Sequence, residues 1–156
     1  MPHVIDVSVD DAYAEAVDVA AVEAAAQRTL AVVGAVDPVE VSILITGDET
    51  LQELNRTYRG QDKPTDVLSF GQGDDDTPPL PDIPRLLGDV VVSYPRAVAQ
   101  AAQAGWATGD ELAWLVIHGV LHLSGYDDES EDGWAEMVAL GEQALGKAAL
   151  HLKDEG

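Results

Sequence analysis

The chain predicts an α+β (mixed α/β) fold: one domain in which a small mixed sheet of about four strands is covered by about five helices. Three observations carry this. Short apolar runs of strand type recur four times, and stretches with helical spacing separate or follow them. The order is strand, helix, strand, helix, strand, strand and then three helices, which mixes the two types along the chain. A length of 156 residues suits a single domain, 1–156, and no internal repeat or heptad run divides it.

Residues 4–9 alternate weakly through Val4, Ile5, Val7 and Val9 and form the first expected strand. From Tyr13 to Val33 the chain is alanine-rich, with Val17, Ala21, Ala24, Ala25 and Leu30 near helical spacing, so one long helix is expected. Gly34 and the Asp37-Pro38 pair end it. Val39, Val41, Ile43 and Ile45 then alternate as a second strand with one buried face. Asp48 is a candidate N-cap for a helix carrying Leu51, Leu54 and Tyr58 and ending near Gly60. Asp66 to Phe70 reads as a short strand. The segment GQGDDDTPPLPDIP after it is too rich in glycine, proline and aspartate for regular structure and is expected to be a mobile loop. Leu87 to Tyr94 restores a strand, and Pro95 suits the first turn of a helix running to about Gly105. Thr108 with Glu111 has the spacing of a capping box for the next helix, and a last helix is expected over roughly Gly133 to Leu150.

Composition narrows the chemistry. With no cysteine, disulfides and thiolate metal sites are excluded, and any metal must be held by His, Asp or Glu. The net charge of −21 argues against broad electrostatic attraction to nucleic acid or to an anionic membrane. Five of the eight basic residues, Arg56, Arg59, Lys63, Arg85 and Arg96, nevertheless fall between residues 56 and 96, which leaves room for a local basic groove. The start, MPHVIDVSVDD, is acidic and lacks a basic region and an apolar run, and no 18-residue apolar stretch occurs, so a cytoplasmic protein without a membrane partner is expected.

The segment ELAWLVIHGVLHLSGYDD carries the most chemistry. Within Leu112 to Leu123 only His118 and His122 can titrate or bind a metal, and two residues four apart share a helix face with about 5–6 Å between Cβ atoms. The rest of the segment is apolar all round, which marks a buried helix. Two imidazoles in such a place need partners, and a bound cation is one way to supply them. Gly125 can end the helix and reverse the chain, bringing Tyr126, Asp127 and Asp128 back towards the histidines. Two helix ligands and one from the turn would leave a fourth metal position open, the hallmark of a catalytic zinc. A pair of core histidines bonded to backbone is the structural alternative.

In order and spacing, LNRTYRGQDKPTDVLSF (Leu54–Phe70), LGDVVVS (Leu87–Ser93) and HGVLHLSGYDD (His118–Asp128) resemble the YbeY-type metal-dependent endoribonucleases that act in ribosomal RNA maturation. The likeness covers most of the chain from about residue 40 onward, and the first 35 residues add little to it. It implies a single metal-dependent hydrolase domain that cleaves single-stranded RNA, with a part in maturing the 16S rRNA 3′ end and in ribosome quality control. The implied partners are ribosomal RNA and the ribosome or its assembly factors, and not DNA. In that family three histidines at relative positions 0, 4 and 10 hold a zinc. Here the first two positions are His118 and His122, and the third is Asp128. An aspartate oxygen is an acceptable zinc ligand at about 2.0–2.2 Å, though its charge should acidify bound water less and shift preference slightly towards harder ions such as manganese. Asp127 is the alternative third ligand.

By the same resemblance, Arg59 takes a catalytic or RNA-positioning role, with His118 the second catalytic residue. Cleaving a phosphodiester builds charge on phosphoryl oxygens, and a guanidinium can fork two of them. A surface salt bridge is the plainer use of Arg59. Lys63 is expected to touch the RNA backbone. Asp66 and Asp89 also match motif positions and read first as capping groups of a loop or strand end, second as catalytic groups. Two rivals stand beside the nuclease. A metzincin-like protease would have a glutamate directly after the first histidine as general base, where this chain has Gly119. A metal-stabilised, non-catalytic module binding the ribosome through its arginine-bearing surface is the other.

Overall fold

The computed structural model describes residues 3–35, 38–71, 84–127 and 129–147. Four strands, β1 (Val4–Val9), β2 (Val39–Thr46), β3 (Val67–Gly71) and β4 (Arg85–Ser93), form one sheet in the order β1-β2-β4-β3. β1, β2 and β4 run parallel, and β3 joins β4 antiparallel at the edge. The helices are α1 (Val19–Val32), α2 (Asp48–Arg59), α3 (Tyr94–Ala104), α4 (Thr108–Leu123) and α5 (Glu131–Leu145).

Strand periodicity divides the sheet into two chemically different faces. One register row holds Val7, Ile43, Val90 and Ser69, and the next on that face holds Val9, Ile45, Val92 and Val67. The apolar members of this face join Leu30, Leu112, Leu115, Val116 and Val120 in the main core, beneath α1 and α4. The opposite face carries the row Asp6, Ser42, Asp89, Phe70 and the row Ser8, Leu44, Val91, Leu68. There α2 packs on β3 and β4, closing a smaller core of Leu51, Leu68 and Val91.

α4 is the central element, packing on α1, α3, α5, β3 and β4. Its apolar surround is buried as its composition requires, with Val116, Ile117 and Val120 fully enclosed. The approach to the sheet is closest at Gly119: a Cβ built there would meet Val90 Cγ1 at 2.5 Å. Gly141 of α5 gives Trp114 of α4 the same accommodation, where a Cβ would lie 2.7 Å from the indole.

Several local expectations are corrected. The long first helix starts later than Tyr13: Asp11–Tyr13 is a separate 3-10 turn, and Asp18 caps α1 by accepting from Ala21 N at 3.1 Å. An aspartate followed by four helix-tolerant residues competes with the alanine-rich run upstream and sets the boundary. Asp48 is the first residue of α2 and not its cap, which is Gly47; its carboxylate accepts instead from the buried Ser93 Oγ at 2.6 Å. The Thr108–Glu111 capping box does not form, because Ala107 is the N-cap and Glu111 is buried, accepting from Trp106 Nε1 at 2.9 Å. α5 begins at Glu131, capped by Ser130, and ends at Leu145 before Gly146, earlier than Leu150. The loop expected over GQGDDDTPPLPDIP falls largely on 72–83, outside the described residues.

The Gly119–Val90 approach makes a prediction. Gly119→Ala should destabilise the fold by about 1–3 kcal/mol through overpacking. In denaturant titrations the Gly119→Ala, Val90→Ala double variant should lose less stability than the sum of the two single changes.

Candidate functional site

The histidines sit in the last two turns of α4, facing outward from its buried remainder. His118 Nε2 and His122 Nε2 lie 3.1 Å apart, with ring centroids at 4.7 Å and planes at 74°. Both Nε2 atoms thus converge on one point. Two neutral imidazoles can share a proton over this distance, and a divalent cation can take its place. Two nitrogens bound at about 2.0–2.1 Å to one zinc at the tetrahedral angle stand roughly 3.3 Å apart, close to what the pair presents. Donor chemistry and convergence both fit such an ion.

The helix stop delivers the following chain to this point. Gly125 takes φ +101°, Gly125 N donates to His122 O at 3.1 Å, and Tyr126 N to Leu121 O at 3.1 Å. This double closure is the Schellman arrangement expected of a glycine just past a helix end. Asp127 Oδ1 then accepts from Glu129 N at 2.7 Å, and Ser130 Oγ from Gly133 N at 2.9 Å, so the return loop is held at both ends. Gly133 permits it: a Cβ there would collide with Asp127 O and lie 2.9 Å from Ser130 Oγ. Asp128, the expected third ligand, lies outside the described residues. Among the described residues no third His, Asp or Glu completes a metal-holding group with the histidine pair; Asp127 lines the same cleft without doing so.

That cleft has a volume of about 390 Å³ and is lined by Arg59, Asp66, Val67, Ser69, His118, Gly119, His122, Asp127 and Glu129. Arg59, sixty residues upstream, therefore faces the same space as the histidines, brought there by the C-terminus of α2. Val67 and Ser69 of β3 form the wall between them. Lys63 is exposed and does not line the cleft. Of the five basic residues clustered in sequence, only Arg59 lines it; Arg96 instead pairs with Asp48, Nε to Oδ1 at 3.5 Å.

Asp66 behaves as the capping group it was first read to be. Its Oδ1 accepts from Val67 N at 2.8 Å and from Thr65 Oγ1 at 3.4 Å, and its Oδ2 from Gln100 Nε2 at 3.3 Å. These bonds fix the start of β3 beside Arg59. Sequence reasoning missed Asn55, which is 3% exposed and donates from Nδ2 to Lys63 O at 3.0 Å. A polar residue on the apolar face of an amphipathic helix was the available signal, since a buried amide requires a partner. The partner is the loop linking Arg59 to β3. At position 119, where a metzincin-like protease would carry its glutamate, this chain has a glycine whose added Cβ would start 2.5 Å from Val90 Cγ1.

Comparison with known proteins finds likeness over most of the chain. The sequence model of the family described as Endoribonuclease YbeY matches residues 6–149. An Endoribonuclease YbeY from Roseiflexus castenholzii is 51% identical over 154 residues, covering 97% of this chain and 96% of the relative. One from Chloroflexus aggregans is 43% identical over 147 residues, covering 93% and 95%. The solution structure of TM1509 from Thermotoga maritima superposes with a TM-score of 0.57 at 26% identity, covering 91% of this chain and 89% of that one.

Asn55→Ala should leave Lys63 O without its partner and cost about 1–3 kcal/mol. Hydrogen exchange should rise chiefly in residues 61–66, with α4 protected as before.

Proposed function

The chain belongs to the endoribonuclease YbeY family, and from that premise we propose that it is a metal-dependent endoribonuclease that cuts single-stranded RNA during ribosomal RNA processing. The observation that carries the reading is one cleft in which Arg59 faces two convergent histidines. In this reading His118, His122 and Asp128 hold one divalent ion, zinc or a harder ion given the aspartate. When bound, that ion supplies an acidified water or polarises a phosphoryl oxygen.

The chain's own groups supply the rest. Arg59 is exposed and can fork two phosphoryl oxygens, so it receives the scissile phosphate and stabilises the charge that develops on it. The capped start of β3 and the Asn55 anchor hold the wall opposite the histidines. Asp66, Asp127 and Glu129 surround this point with negative charge, which disfavours phosphates anywhere in the cleft except beside Arg59. In this reading Lys63, exposed on the loop outside the cleft, touches the flanking backbone. Single strands are the favoured substrate because an unpaired backbone can bend into a cleft of this size. Since the protein carries a net charge of −21, its affinity for RNA leans on this local arrangement and on a ribosomal partner. In this reading the protein acts on the ribosome in the cytoplasm.

Cleavage of a single-stranded RNA by zinc- or manganese-loaded protein tests this. Arg59→Ala and His122→Ala should each lower kcat/KM by about a hundredfold or more, as loss of a main charge-stabilising group does. Chelation should abolish cleavage, and circular dichroism should show whether the fold survives it. Wild-type rates in both variants would refute the mechanism.

A further inference from the structure

A second concavity, of about 440 Å³, lies on the opposite face of the sheet. Its floor is the register row Asp6, Ser42, Asp89, Phe70, and Leu54 and Tyr58 of α2 form one side. Among the described residues no lysine or arginine lines it. Tyr58 stands at its rim, 67% exposed, with its ring held edge-on to Phe70 at 5.3 Å between centroids and 64° between planes. An exposed tyrosine presents an apolar ring with a polar tip, a form of side chain enriched where partners bind.

The two concavities share their walls. Tyr58 and Arg59 are consecutive on α2, so their side chains diverge, Tyr58 into this groove and Arg59 into the histidine cleft. β3 repeats the division: Val67 and Ser69 line the cleft, while Phe70 lines the groove. β3 is also the edge of the sheet, so a strand whose phosphate lies on Arg59 has only that edge to cross before reaching Tyr58.

We propose that this groove is a nucleobase subsite, and that Tyr58 and Asp89 position one base next to the phosphate held by Arg59. The proposal rests on the endoribonuclease reading and extends it to sequence preference. The carboxylates of Asp6 and Asp89 repel phosphate but accept hydrogen bonds from the amino and imino groups of a base edge. Guanine is the best match, because its adjacent N1–H and N2–H donors can meet both oxygens of Asp89. The Tyr58 ring offers the stacking surface on which single-strand binders hold a base. Aromatic rim, acceptor floor and continuity with Arg59 together favour a base over a basic peptide.

Binding of fluorescent 2′-O-methyl heptamers, read by anisotropy, tests this without requiring cleavage. An all-uridine heptamer is compared with heptamers bearing one guanosine, adenosine or cytidine. The wild-type protein should prefer guanosine by roughly tenfold, within the range that one well-placed base contact gives. Asp89→Asn should reduce that preference to below twofold without weakening the all-uridine heptamer, since it removes a charge that repels phosphate. Tyr58→Ala should weaken every heptamer by roughly tenfold, and Tyr58→Phe should restore binding, since stacking needs the ring and not the hydroxyl. Base-blind binding by the wild type, or unchanged binding in both Tyr58→Ala and Asp89→Asn, would overturn the proposal and leave the groove to a protein partner. Base-blind binding alongside cleavage that needs Arg59 and His122 overturns this inference alone. Base-specific binding without cleavage keeps the subsite and removes the nuclease.

Discussion

The arrangement depends on how closely α4 lies on the sheet, and one contact sets that distance. Gly119 gives up its side chain to Val90, so the helix axis sinks towards β4 and the flanking turns follow it down. His118 immediately precedes this glycine and His122 follows it three residues later, and both line the same cleft as Val67 and Ser69 of β3. A bulkier residue would lift the helix and widen the cleft between the imidazoles and Arg59. The glycine that distinguishes this motif from a metalloprotease is thus also what its packing requires.

Much of this was legible in the sequence because it arises from local rules. The alternation of Val39, Val41, Ile43 and Ile45, the all-apolar surround of the histidines and the glycine stop at Gly125 each produced the element expected. The mixed sheet of four strands and the five helices followed from their order. Two of the capping misses share a cause: another group claims the carboxylate. Asp48 has the composition of a cap, but Ser93, forty-five residues away, claims its carboxylate. Glu111 has the spacing of a capping box, but burial and the Trp106 indole take it inward. Nothing local announces the Ser93 partner, because only the tertiary fold brings it within reach.

The site shows the same division. The histidine pair could be read from spacing alone, whereas the proximity of Arg59 could be reached only through the motif likeness, since no periodicity links residue 59 to residue 118. Asn55, which anchors the intervening loop, gave only the faint signal of a polar residue on an apolar face. Charge was the least informative property at this scale: the basic cluster between residues 56 and 96 spreads over several surfaces, and a single arginine from it lines the cleft.

β3 separates two concavities with alternate residues facing each, and so it tolerates change of one kind only. Substitution at Ser69 alters one concavity, and substitution at Phe70 alters the other, so the two can diversify separately. Insertion or deletion of a single residue would turn every later side chain of the strand to the opposite face and exchange the two surfaces at once. Variation in the length of this protein is therefore expected to spare this short edge strand, even though sheet edges are ordinarily permissive places for it.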